Sequence, residues 1–222
     1  MNETFNSSRE GRYSEPRWPS LLAVIAVVGL YFPLHADLIV GPRWLLPSVI
    51  VTLLVPTVIS HQTGRHHLDG LLGFFVTSLL TVGLIASVVL LVRSLPFHRQ
   101  SPVALMQSAG SLWCTNILVF ALWYWRLDAG GPHERSSRLT HEEGSFLFPQ
   151  MTLSPEAKRE IGQATWLPSF MDYLFVAFNT STAFSPTDTP PLTSWAKSLM
   201  MVQSIISLTV IALLAARAVN IL

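Results

Sequence analysis

The last third of the chain most restricts what it can fold into. Residues 166–222 comprise a short apolar segment, a tight polar loop and a long apolar run. The short segment, about Ser169 to Ser181, cannot cross a bilayer, which needs about 20 helical residues. The final run, from about Thr193 to Val219, is long enough to do so. A polar loop at membrane depth must be enclosed by protein or line a water-filled cavity. This order therefore predicts a re-entrant pore-like half helix and a filter-like loop before the last helix.

The loop also carries a recognisable motif, Thr182-Ala-Phe-Ser-Pro-Thr-Asp188, followed in one register by Pro191, Thr193, Trp195 and Lys197. This stretch resembles the pore region of tetrameric potassium-channel-like proteins. Their pattern is Thr-x-Val-Gly-Tyr-Gly-Asp, followed by x-x-Pro-x-Thr-x-Trp-Gly-Arg. The resemblance implies a homotetramer that passes monovalent cations along a shared axis. The tail is also similar to a widespread group of bacterial integral membrane proteins of unassigned function.

The chain departs from the family where potassium selectivity resides, because Ser185 and Thr187 replace both filter glycines. A potassium filter replaces the hydration shell of the ion with rings of backbone carbonyls. Residues with a side chain resist the positive φ that glycine allows. Pro186 fixes its own φ and pushes Ser185 into extended geometry. We therefore expect weak or no potassium selectivity from the filter-like residues, which are Thr182, Ala183, Phe184, Ser185, Pro186, Thr187 and Asp188.

Asp188 has two readings. Four copies around a symmetry axis would concentrate cations at an entrance, as acidic rings do in cation channels. The sequence Pro-Thr-Asp-Thr-Pro is also a good turn, in which an Asp side chain bonds nearby amides. The sequence leaves both open.

The last helix carries a polar stripe formed by Gln203 and Ser207, with Arg217 two to three turns further on. All three are candidates to face a pore. Four arginines at an inner mouth would oppose cations unless an acid such as Asp37 neutralised them. The alternative is that Arg217 reaches lipid headgroups at a helix end.

Composition and length indicate a multi-pass membrane protein. The 222 residues are 50% hydrophobic and 12% charged, with mean hydropathy +0.44, which is too apolar for an ordinary soluble domain. The net charge of +1 gives no indication of a nucleic-acid partner. We predict an all-α membrane protein with five transmembrane helices and the re-entrant element. The spans begin and end near Trp18–Leu34, Trp44–Ser60, Leu68–Val92, Pro102–Trp125 and Thr193–Val219.

These segments suggest three regions. Residues 1–17 form a polar N-terminal segment, 18–101 a three-helix membrane region, and 102–222 a two-helix pore-like module. The hydrophilic loop 126–168 is either an enlarged turret or a generic surface connection. Within it, Ser154-Pro155 predicts a helix start and Gly162 a helix end.

Other constellations are weak. The chain shows no metalloprotease, P-loop, nucleophile-elbow or dinucleotide pattern, so we expect neither an enzyme nor a cofactor. Two loose groups of His and acidic residues could bind a metal or could simply be polar residues at the interface, and their spacing is not decisive. We expect Asn116, inside the fourth span, to make an interhelical hydrogen bond. The members of the two groups are His61, His66, His67 and Asp69, and His133, His141, Glu142 and Glu143.

The sequence thus supports two functions: a weakly selective cation channel, or a non-conducting membrane protein that retains this architecture for assembly or binding. Both place the chain in a cell membrane, with a bacterial inner membrane as the expectation. Orientation stays open. A channel topology puts the filter-like loop outside together with most Lys and Arg residues, whereas the positive-inside rule favours the reverse.

Overall fold

The computed structural model describes residues 16–62, 66–94, 101–138, 141, 143–183 and 188–219. Within these residues the regular secondary structure is helical, apart from one isolated antiparallel bridge between Phe146 and Pro191. The predicted all-α class is confirmed. The helices in chain order are α1 (Trp18–Tyr31), α2 (Leu45–Gln62), α3 (His66–Ser94), α4 (Pro102–Leu127), α5 (Pro132–Ser136), α6 (Pro155–Glu160), α7 (Phe170–Ala183) and α8 (Ser194–Val219).

Three stretches of the described chain are long and apolar enough to cross a bilayer: Asp69–Ser94, Val103–Gly130 and Ser194–Ala216. They coincide with the third, fourth and last predicted spans. In the described part of the chain, α3, α4 and α8 are thus the candidate membrane spans.

The first predicted span is shorter in the structure, and α2 lies within two residues of the predicted Trp44–Ser60 at each end. α1 has 14 residues and is therefore about 21 Å long, less than the roughly 30 Å of a hydrocarbon core. It ends at Tyr31, before the predicted Leu34. Phe32 still has helical angles (φ −69°, ψ −37°), but Pro33 has no backbone N–H with which to continue the helix. The apolar part of α2, Leu45–Thr57, is also short. Five crossings therefore remain a prediction.

α4 is the central helix of the bundle. It packs against α1, α3, α7 and α8, while α2 packs mainly on α3. The share of the span buried inside the protein is 56% for α4 and 28% for α8. α4 is therefore core, whereas α8 leaves a wide apolar face uncovered.

Local capping chemistry sets several helix ends, including the start at Ser154 and the end at Gly162 that the sequence predicts. The Ser101 side chain accepts a hydrogen bond from the Ala104 amide at the start of α4 (3.2 Å). Ser154 accepts in the same way from Ala157 at the start of α6 (3.2 Å). Gly162, just beyond α6, has φ +70°, a left-handed conformation that glycine adopts without steric cost.

α7 starts with an acidic cap. The Asp172 carboxylate accepts from both the backbone N–H and the hydroxyl of Ser169, at 2.7 and 2.8 Å. A carboxylate in the first turn is stabilised by the positive end of the helix dipole. The helix continues two residues beyond the predicted Ser181. Thr182 and Ala183, assigned from the sequence to the filter-like loop, form its last turn.

Candidate functional site

α7 lies between α4 and α8 and contacts both. Near its start, the Tyr173 hydroxyl donates to Oδ2 of Asp128, the residue that follows α4 (2.6 Å). Near its end, the Ser181 hydroxyl accepts from Nδ2 of Asn116, in the middle of α4 (3.4 Å). α7 therefore starts level with the end of α4 and stops level with its centre.

The chain after α7 returns to the level at which α7 began. The Leu147 amide donates to Pro190 O (3.0 Å) and the Leu192 amide to Ser145 O (2.8 Å). The Ser145 amide in turn donates to Oδ1 of Asp128. Residues before α7 and residues after it thus meet at one end of the bundle. We call this the turret end: the end at which α4 finishes and α8 begins.

The depth reached by α7 can be measured along α8. Gln203 and Ser207, the two α8 residues that meet the end of α7, lie about 14 Å and 20 Å from the start of α8 at 1.5 Å per residue. The whole helix has 26 residues and is about 39 Å long on the same rise. The C-terminal end of α7 therefore lies near the midpoint of α8.

Polar side chains of α8 bond the last turns of α7. Gln203 Nε2 donates to Ala177 O (2.7 Å) and to Ser181 Oγ (2.8 Å). The Ser207 hydroxyl donates to Ser181 O (2.7 Å). The last carbonyls of any helix lack an intrahelical partner, and lipid offers none. The polar stripe of α8 thus satisfies the end of α7.

This corrects the pore-facing role predicted for two residues. Gln203 and Ser207 are both 0% exposed within one protomer, and their hydrogen bonds are made to α7. They are consequently not available to line an axis shared with other copies. The third candidate, Arg217, lies in α8, but its side chain is outside the described residues, so both of its readings remain predictions.

The same junction confirms the role predicted for Asn116. Its Nδ2 donates to Gln203 O (3.2 Å) as well as to Ser181. The fully buried amide therefore joins α4, α7 and α8.

Of the filter-like residues, Thr182, Ala183 and Asp188 are described and all three are exposed in the protomer. The Thr182 hydroxyl donates back to Phe178 O (3.0 Å) and Asn179 O (3.3 Å). Phe184, Ser185, Pro186 and Thr187 lie outside the described residues, so the prediction of a reshaped filter is untested.

Asp188 faces a cavity of about 520 Å³ at the turret end. Asp172, in the first turn of α7, lines the same cavity, as do Phe175 and Phe178 further along the helix. Two carboxylates therefore face one cavity beside the uncovered face of α7.

A buried polar cluster around Asp128, at the turret end, was not predicted from the sequence. Asp128 is fully buried and accepts from Tyr173 and Ser145, with Nε2 of His141 3.5 Å from Oδ2. Arg135, 1% exposed, donates to Asp128 O (2.8 Å), and its guanidinium lies 4.9 Å from the centre of the Tyr173 ring. These contacts fasten part of the 126–168 loop onto α7.

Among the described residues, no three His, Cys, Asp or Glu side chains are grouped as metal ligands. No family model, no curated protein and no solved structure matches the chain. The geometry around α7 is therefore what bears on function.

Proposed function

We propose that the chain is a homotetrameric, potassium-channel-like cation channel of a cell membrane, with weak or no potassium selectivity. A bacterial inner membrane is the proposed location. One observation carries this proposal: α7 enters from the turret end, stops near the midpoint of α8, and is followed by residues that return to the same end. This is the arrangement expected of a pore helix and its loop.

The charges around α7 favour cations at two positions, its C-terminal end and the cavity at the turret end. The C-terminal end of a helix carries a partial negative charge, and α7 directs that end toward mid-membrane. Nearer the turret end, Asp172 and Asp188 open onto one cavity. Four copies would bring eight carboxylates to a common entrance and raise the local cation concentration there.

Oligomerisation follows from what one protomer leaves uncovered. Irregular backbone at membrane depth is tolerated only where protein encloses it or water fills a cavity. Thr182 and Ala183, the last residues of α7, are near mid-depth and exposed in the protomer. Several copies around an axis would enclose this end of α7. The uncovered face of α7 and α8, which includes Phe175, Met201 and Ile205, would then pack on neighbours or lipid.

A non-conducting assembly is the second candidate, and the composition of α8 favours it. Because Gln203 and Ser207 are engaged with α7, the exposed side of α8 is largely apolar, with Val202 and Leu208 beside Met201 and Ile205. A pore lined by such side chains can close by dewetting.

Ion flux into liposomes tests the proposal. We expect potassium and sodium to pass at similar rates. Asp188→Asn should lower flux severalfold at low ionic strength and less at high salt, because screening weakens an acidic ring. Glu156→Gln is the matched control, since Glu156 is also an exposed acid but lies on α6.

The oligomeric state in detergent separates the two candidates. A tetramer that passes neither cation would support the non-conducting assembly. A monomer at all protein concentrations would contradict a pore on a shared axis.

A further inference from the structure

A cavity of about 780 Å³ lies between α1, α2, α3 and α4 at the turret end. Its volume falls within the range of roughly 300–1,000 Å³ that is usual for small-molecule sites. It is separate from the α7 element, none of whose residues line it. Much of its wall is apolar and comes from four helices: Leu21, Val24, Leu54, Val76 and Leu122.

The cavity contains an arginine that makes no ion pair with an acid among the residues that the structure describes. Arg126 occupies the last turn of α4, and its buried Nε has no hydrogen-bond partner. Its guanidinium carbon lies 5.7 Å from the centre of the Trp125 ring. The second arginine in the cavity, Arg17, is paired with Asp69. A buried cation is costly unless paired and hydrogen-bonded, so the site favours an anion.

Two glycines of α3 shape the cavity around this arginine. A Cβ atom added at Gly73 would overlap the guanidinium of Arg126. Gly70, one turn earlier, also lines the cavity, and an added Cβ there meets no atom within 4 Å. The absence of a side chain at Gly73 therefore leaves room for the guanidinium of Arg126. The absence of one at Gly70 leaves that part of the cavity empty.

We propose that this cavity binds a phospholipid, with its phosphate on Arg126 and an acyl chain along the apolar wall. A guanidinium holds a phosphate through two parallel hydrogen bonds, which makes arginine well suited to this anion. Arg126 lies at the end of a membrane-length helix, where headgroups are found. The exposed His133 and Glu134 line the rim, where the rest of a headgroup would lie. The combination of one phosphate-binding group and an extended apolar wall favours a lipid over a free anion.

The test is thermal unfolding of the purified protein in a nonionic detergent with three added probes. These are a short-chain phosphatidylglycerol, a diacylglycerol of the same chain length, and inorganic phosphate. We expect phosphatidylglycerol to raise the Tm in a saturable manner and the other two to raise it little. Arg126→Gln should weaken the apparent affinity about tenfold or more, because the charge-assisted bonds to phosphate are lost.

Gly70→Leu supplies a second variant that keeps Arg126 and fills the cavity instead. Its matched control is Gly29→Leu on α1, another exposed helical glycine whose added Cβ meets no atom within 4 Å, outside the cavity. We expect Gly70→Leu to lose the response to phosphatidylglycerol and Gly29→Leu to keep it.

An unchanged response in Gly70→Leu would overturn the site, whether or not Arg126→Gln folds. An equal response to diacylglycerol would remove the role of phosphate, and an equal response to inorganic phosphate would make the ligand a free anion. The readout does not depend on ion conduction.

Discussion

The Tyr124 hydroxyl donates a hydrogen bond to Oε1 of Gln203 at 2.5 Å, which joins α4 to α8 at the depth where α7 ends. The Nε2 of the same amide donates to Ala177 O and Ser181 Oγ of α7. One buried side chain therefore links the three helices of the pore-like module, and its loss should affect all three contacts together.

Gln203→Leu should destabilise the protein by about 2 kcal/mol. It leaves buried polar partners on α4 and α7 without their bonds, at roughly 1–3 kcal/mol for an unsatisfied group, and single bonds in membranes are worth less than this. Thermal unfolding in detergent measures the effect. Thr209→Val is the control on the same helix, since the Thr209 hydroxyl donates to Ile205 O within α8 (2.7 Å). Equal losses in the two variants would contradict a linking role for Gln203.

Asp128→Ala should loosen the attachment of the 126–168 loop to α7. The substitution removes the acceptor of the Tyr173 hydroxyl and the Ser145 amide, whereas the bond from Arg135 to the backbone carbonyl of residue 128 can remain. If the contact loses about 2 kcal/mol, the equilibrium constant for local opening rises roughly thirtyfold, and amide exchange becomes faster by the same factor. Amide hydrogen exchange at Ser145 measures it, and Glu156→Ala on α6 is the control. Unchanged protection in the Asp128 variant would show that the cluster does not hold the loop.

Asp188→Cys in a Cys114→Ser background should form disulfide-linked dimers under mild oxidation, if copies surround an axis near this residue. Asp188 is exposed in the protomer, and a disulfide needs Cα atoms within about 7 Å of each other. Non-reducing electrophoresis measures the product. Glu156→Cys in the same background is the comparison, and similar cross-linking of both would indicate random collision.

The filter-like loop can be tested by restoring the family pattern. Phe184→Val, Ser185→Gly, Pro186→Tyr and Thr187→Gly together recreate the potassium-channel motif between Thr182 and Asp188. Glycine would again permit the backbone angles that align carbonyls. We expect the flux ratio of potassium to sodium to rise several-fold over that of the native sequence. A ratio that stays near one would indicate that the loop does not form the constriction.

Features set by neighbouring residues were predictable from the sequence. Ser101, Ser154 and Asp172 each satisfy helix N–H groups within three residues of themselves, so their pattern is local. The interhelical bond of Asn116 was also predictable, because a buried amide in lipid must find a partner.

Features that depend on tertiary contacts were not predictable. A polar stripe on α8 has the same sequence pattern whether it faces water or another helix. Periodicity therefore could not show that Gln203 and Ser207 contact α7 and do not line a pore. Asp128 and Tyr173 are 45 residues apart, and no local spacing marks their contact. The cavity at Arg126 likewise needs four helices to form.

α4 presents Tyr124 to α8 and Arg126 to the cavity of α1–α3. Residues two positions apart in a helix differ by about 200° of rotation. The side chains of Tyr124 and Arg126 therefore project from opposite sides of α4. A turn of α4 about its own axis must therefore alter both contacts at once. A lipid that prefers one rotational position would favour the matching arrangement of α7 and α8, and by thermodynamic reciprocity that arrangement would change lipid affinity by the same factor.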